Sequence, residues 1–197
     1  AWVTGIAADA LGRVYVAGSI MYCMVDPFND QVRTLEYRYR VRRYVRGTGD
    51  RYVVDGSWKR DTDYRVLEGT GFGSTRDPRG MQWASPQGAA LYFADRANNQ
   101  VQRYGDPAGG AWSYKLDLGG SGADSMLLVQ PLDVAVDSAG FVYVVDAGNH
   151  RGQRFSTDGV FSGAWGAYGS GLGEFDGPTS VITHCNTGAL ATGGYGT

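Results

Sequence analysis

Two histidines, His150 and His184, two cysteines, Cys23 and Cys185, and seven arginines crowded into residues 33–51 are the most reactive or most densely charged groups in this 197-residue sequence. His184 and Cys185 adjoin, and a thiolate nucleophile with its base needs those two residue types. Neighbours on a strand point to opposite faces, however, which sets the pair against direct cooperation. There is no Cys-x-x-Cys motif and no Cys/His cluster, so neither a zinc nor a haem site is expected, and no cofactor is assigned. Cys23 and Cys185 are read as buried thiols, with a bridge between them the lesser alternative.

The arginine segment is the strongest candidate for binding. Arg33, Arg38, Arg40, Arg42, Arg43, Arg46 and Arg51 oppose only Glu36 and Asp50, a local charge of +5 in a chain whose net charge is -2, so the remainder carries -7. In the run from Tyr37 to Arg42, a period of two sends Tyr37, Tyr39 and Val41 to one face and Arg38, Arg40 and Arg42 to the other. Guanidinium groups suit carboxylate, phosphate and aromatic partners. The candidate contact surface is therefore Tyr37, Tyr39, Arg38, Arg40, Arg42, Arg43 and Arg46. A protein partner or further copies of this chain fit it best. The -7 elsewhere and the sequence pI of about 5.6 weigh against nucleic acid.

Aspartates are numerous enough to suggest calcium or general-acid chemistry, but their spacing points elsewhere. Pro78, Pro131 and Pro178 lie 53 and 47 residues apart, and Gly88, Gly140 and Gly188 follow them by 9 or 10 residues. Asp9 and Gly12 fall where Asp137 and Gly140 fall. A polar corner recurs as Asp26-x-x-Asn29, Asp95-x-x-Asn98 and Asp146-x-x-Asn149. A catalytic group is needed once, whereas a corner is needed in every repeat. These residues are accordingly read as turn caps, as the side-chain hydrogen bonding of Asp and Asn allows, and no metal ligands are assigned.

Within one unit, Asp133 to Val136 and Phe141 to Val145 are short β-branched runs around Asp-Ser-Ala-Gly, which predicts a hairpin. Asp146-x-x-Asn149 turns the chain into Arg151 to Phe155, and Thr157-Asp158-Gly159 into Val160 to Trp165. Four strands in roughly 45–50 residues is the period of one propeller blade. The segment VYVVDAGNHRGQRFSTDGVFSGAWGAYGSGLGEFDGP resembles the NHL-repeat family of β-propellers, closely over 131–190, less so over 78–130 and thinly over 1–77.

The expected fold is thus an all-β NHL-type propeller. Blade 1 is placed at 3–77, blade 2 at 78–130, blade 3 at 131–177 and a partial blade 4 at 178–197. About 20 extra residues fall in the first unit. They are read as an extended hairpin over about 33–59, with 31–46 running on to a turn at Gly47–Asp50 and a return from Arg51. Trp83, Trp112 and Trp165, with Tyr92, Tyr143 and Phe155, are read as inter-blade packing.

The resemblance implies a ring of usually six blades, roughly 270–290 residues at this period. The 197 residues are therefore expected to belong to a longer chain or to be completed by other copies. It also implies functions. Members serve as interaction modules, some bind RNA through a basic face, and six-bladed relatives include a metal-dependent lyase and lactonases. The inner-strand polar residues here, Asp133, Gln82 and His184, make a poor metal cage, so a non-catalytic interaction or assembly role is preferred over the enzyme. His150 sits where the family commonly has His, which implies a structural corner role.

Composition agrees with short strands and tight turns: 31 glycines, 13% aromatic and 19% charged residues. No apolar run is long enough to span a bilayer as a helix, so no membrane insertion is expected. The absence of an Asn-x-Ser/Thr sequon leaves the compartment open, with an extracellular or periplasmic setting ahead of the others.

Overall fold

The structure, a computed structural model, describes residues 2–25, 32–49, 51–54, 67–68, 74–84, 90–105, 113–118, 127–184 and 188–193. Asp26, Asn29, Trp112 and Cys185 lie outside the described residues, as does the far end of the expected return after Val54.

The first sheet is built in chain order from β1 (Trp2–Ala8), β2 (Val14–Val25), β3 (Val32–Arg46) and β4 (Tyr52–Val54). Two short strands, β5 (Leu67–Glu68) and β6 (Ser74–Thr75), pair in parallel on the way to the second sheet. That sheet comprises β7 (Pro78–Ala84), β8 (Ala90–Asp95), β9 (Gln100–Gly105) and β10 (Ser113–Leu118). The third comprises β11 (Asp133–Val136), β12 (Val142–Asp146), β13 (Arg151–Phe155) and β14 (Phe161–Trp165), and β15 (Pro178–His184) pairs with β16 (Gly188–Gly193). The three four-stranded sheets are antiparallel meanders, and β15–β16 is an antiparallel hairpin. Their first strands follow one another, with β1 beside β7, β7 beside β11 and β11 beside β15.

Alternation along the strands explains the stacking. In β8, Leu91 and Phe93 join Ala7, Tyr15, Ala17 and Val41 of the first sheet, while Ala90 and Tyr92 join Val134, Val136, Val142, Val144 and Phe155 of the third. Consecutive side chains go to opposite faces, so every residue of β8 is buried. Tyr143, Ala135 and Val145 meet Val181 of β15 on the far side of the third sheet. Trp83 stacks on Tyr15 across the first two sheets at 5.1 Å, and Trp165 sets its edge to Tyr143 at 6.1 Å. Each large side chain so enclosed contributes about 1.5–3 kcal/mol.

The hairpin turns follow their sequence. Gly140 takes a φ of 91°, which a residue with a Cβ adopts only under strain, and its N–H closes the turn on the Asp137 carbonyl at 3.1 Å. Where the extra residues fall, β3 pairs with the return strand β4 from Tyr44↔Val54 to Arg46↔Tyr52, and the rest of the expected return lies outside the described residues. On its other edge β3 pairs with β2 from Val14↔Tyr44 to Val25↔Val32. Among the described residues β1 pairs with β2 no further than Ser19, and residues 20–25 and 32–38 run on from there as a β2–β3 arm.

Candidate functional site

Two places could carry function: the arm, and the row of inner strands β1, β7, β11 and β15. Of the arginine group, Arg42 is half-buried, Arg46 exposed and Arg43 only 4% exposed. Arg43 is thereby removed from the contact surface expected of it. It pairs in register with Tyr15, whose hydroxyl is pushed far above its usual range by burial and by the neighbouring Asp9, with Arg13 and Arg43 acting the other way. Tyr37, Arg38, Tyr39 and Arg40 lie on β3 opposite Met21, Ile20, Ser19 and Gly18.

Along the inner strands Thr4, Gln82 and Asp133 each bond to the backbone of the next sheet. Thr4 Oγ1 donates to the Pro78 carbonyl. The Gln82 amide acts as a peptide group would: its Oε1 accepts from Val136 N–H at 2.6 Å and its Nε2 donates to the Val136 carbonyl at 3.3 Å. Asp133 accepts from Val134 N–H at 2.9 Å and from Val181 N–H at 3.0 Å, joining the third sheet to β15. His184, the third polar residue expected on these strands, pairs through its backbone with Gly188.

Gly80 explains how closely the sheets meet here. A Cβ at this position would lie 1.9 Å from Asp133 Oδ1 and 2.8 Å from Asp133 Cα. Gly80→Ala is expected to cost about 1–3 kcal/mol by forcing the second and third sheets apart, read as a lowered urea midpoint. Substituting Gly49, whose Cβ would meet nothing within 4 Å, gives the control for backbone strain alone.

Burial pushes the Asp133 carboxyl above 3.8, against the lowering effect of the Val181 and Val134 N–H groups. A carboxyl raised on folding favours the protonated folded state. Its stabilising contribution is full below the unfolded value and is lost as pH rises through the raised one. The stability of Asp133→Asn relative to the parent should therefore climb as pH rises from below the ordinary aspartate range through the raised value, followed in urea titrations. Asp9 has the opposite sign. Burial alone would raise it, but the Arg13 side chain and N–H and the Tyr15 hydroxyl outweigh burial and hold it low.

The repeated aspartates form two kinds of corner. Asp9 accepts from the N–H groups of Leu11 and Arg13, from the Arg13 side chain and from Tyr15 Oη, and Asp137 repeats this with Phe141 N–H and Tyr143 Oη. Asp95 accepts from Arg76 N–H at 2.8 Å, Asn98 Nδ2 at 2.9 Å and Gln102 Nε2 at 2.6 Å. Asp146 accepts from Val129 N–H, Asn149 Nδ2, Arg151 Nε and Gln153 Nε2, all at 2.7–2.8 Å. Asp9 and Asp137 thus close their own hairpins, whereas Asp95 and Asp146 tie their sheet to the segment that leads into it.

Gln102 and Gln153 are buried members of these corners that composition and turn signals do not mark. Their signal is an offset of seven residues from the corner aspartate in both units. One residue beyond each Asn, Asn99 and His150 take φ of 56° and 54°. Asn99 Oδ1 accepts from Gln130 N–H at 2.8 Å, and His150 Nδ1 from Gly177 N–H at 3.1 Å. Among the described residues, no group of three or more His, Cys, Asp or Glu is placed to hold a metal ion, and no helix is long and apolar enough to cross a membrane.

Four-stranded meanders stacked face to face, with their first strands side by side, define a β-propeller. Residues 128–155, within the third sheet and the segment leading into it, match the family model of the NHL repeat. Among solved structures the chain is similar to a luciferin-regenerating enzyme, with a TM-score of 0.50 and 15% identity over 89% of this chain and 48% of that one. A crystal structure of a putative 6-phosphogluconolactonase from Bacteroides uniformis aligns with a TM-score of 0.42 and 12% identity, over 81% of this chain and 55% of that one. The chain thus spans about half the length of these structures. At these identities the likeness to the first is one of fold. A 22-residue stretch is 82% identical to part of the methylthioribose-1-phosphate isomerase of Marinobacter nauticus, 11% of this chain and 6% of that protein. That is less than one four-stranded unit.

Proposed function

We propose that this propeller is a non-catalytic module that contacts another protein or other copies of itself, with the arginine-bearing strand β3, from the β2–β3 arm to Arg46, as its contact surface. The observation that carries the reading is the use made of inner-strand polar groups. Thr4, Gln82 and Asp133 are bonded to the backbone of the neighbouring sheet, which is the work of a scaffold. The arm adds the complementary half. It runs past β1 and β4 and belongs to the +5 segment of a chain that is -7 elsewhere, so an acidic protein surface is the partner chemistry it suits.

The test replaces Arg38, Arg40, Arg42 and Arg46 together by serine. The parent should bind polyglutamate in a salt-sensitive manner, and the variant should lose at least tenfold in affinity while keeping its circular dichroism. Binding that survives the substitution overturns the reading. An enzymatic reading has the single inner-strand carboxylate Asp133 in its favour. Lactone hydrolysis by the purified chain, abolished by a chelator, would establish it instead.

A further inference from the structure

We propose that Asp176-Gly177 is a site of spontaneous aspartate isomerisation, with His150 as the base that drives it. Asp176 is exposed and precedes a glycine, the residue that hinders attack on the preceding side chain least. The Gly177 N–H points at His150 Nδ1 at 3.1 Å, and the imidazole is held by its edge contact with Tyr168 at 4.8 Å. A neutral imidazole nitrogen so placed can accept the amide proton.

Gly177 N then attacks Asp176 Cγ of the protonated carboxyl. A C–N bond forms, the Cγ–OH bond breaks, and the proton held by His150 leaves with that hydroxyl as water. Water reopens the resulting succinimide at either carbonyl. Opening at the main-chain carbonyl leaves a β-linked residue and one more atom in the backbone just before Pro178, where β15 begins. The product therefore loosens β15 and β16 from the third sheet.

The molecule contains its own comparison. Asp158 is also exposed and also precedes a glycine with positive φ, 84° at Gly159 against 66° at Gly177. Gly159 N–H, however, donates to the Ser156 carbonyl, which is no base.

The folded chain is aged at about body temperature and neutral pH, then digested, and the β-linked residue at each site is quantified by mass spectrometry. Site 176 should accumulate it several-fold faster than site 158, and the excess should vanish in concentrated urea. His150→Asn, which supplies the side chain found at the equivalent corner as Asn99, should bring site 176 down to the level of site 158. A rate at 176 no greater than at 158 would mean that the hydrogen bond protects the amide, and overturns the proposal. An excess that persists in urea, or that His150→Asn leaves unchanged, overturns it too. The urea comparison needs only the parent chain, so it stands even if the variant does not fold.

Discussion

Asp146→Ala is expected to destabilise the chain by roughly 3–5 kcal/mol, the cost of breaking a buried charge pair by removing one member. Asp146 has no exposed surface, and its carboxylate serves four donors drawn from three places: the 3-10 turn at Asn149, the strand β13 at Arg151 and Gln153, and the incoming segment at Val129. Alanine leaves the Arg151 guanidinium, whose side chain is 15% exposed, without its counter-charge, and leaves two amides and a backbone N–H to find other acceptors. Urea unfolding should show the full loss, whereas Asp158→Ala, in an exposed turn, should stay within about 0.5 kcal/mol of the parent.

Phe155→Ala should cost a similar amount, about 3–5 kcal/mol, by a different mechanism. Phe155 is 1% exposed at the end of β13 and belongs to the cluster that joins the second and third sheets, with Tyr92, Val101, Leu128, Val134, Val142 and Val144 around it. Its ring meets Phe161 edge-on at 5.9 Å. Truncation opens a cavity between two sheets whose backbones are already pinned by Gln82, so the site collapses poorly and the penalty lies at the high end. Phe155→Leu keeps most of the volume and should cost less than half as much. Thermal unfolding of the two variants side by side gives the measurement.

Much of this fold could be read directly because its polar residues repeat. The Asp-to-Gly turn of each hairpin has a local cause, a carboxylate accepting from N–H groups two to four residues on, so spacing alone locates it, as at Asp9 and Asp137. The Asp-x-x-Asn corner is visible as a repeat, but the backbone N–H that each carboxylate binds, Arg76 for Asp95 and Val129 for Asp146, comes from the segment before the sheet.

What could not be read depends on contacts distant in sequence. The period-two pattern shows that the arginine segment is extended, and the turn at Gly47 anticipates its return, but the register that carries β2 along it from Val14 to Val25 is a tertiary outcome. Arg43 was grouped with the arginines by charge, although its place two residues beyond Val41 puts it on the buried face with Tyr15 and Val41. Gln102 and Gln153 look like ordinary surface residues until the aspartate seven residues earlier is seen to need a buried donor.

Native-state hydrogen exchange at two amides asks most directly whether the recurring carboxylates hold the chain to itself. Val129 N–H donates to Asp146, and Arg76 N–H to Asp95, so each reports on one corner. In Asp146→Asn the Val129 amide should exchange much faster while the Arg76 amide keeps its protection. Protection at Val129 that survives the substitution would show that the corner aspartates are not what fastens each sheet to the segment before it.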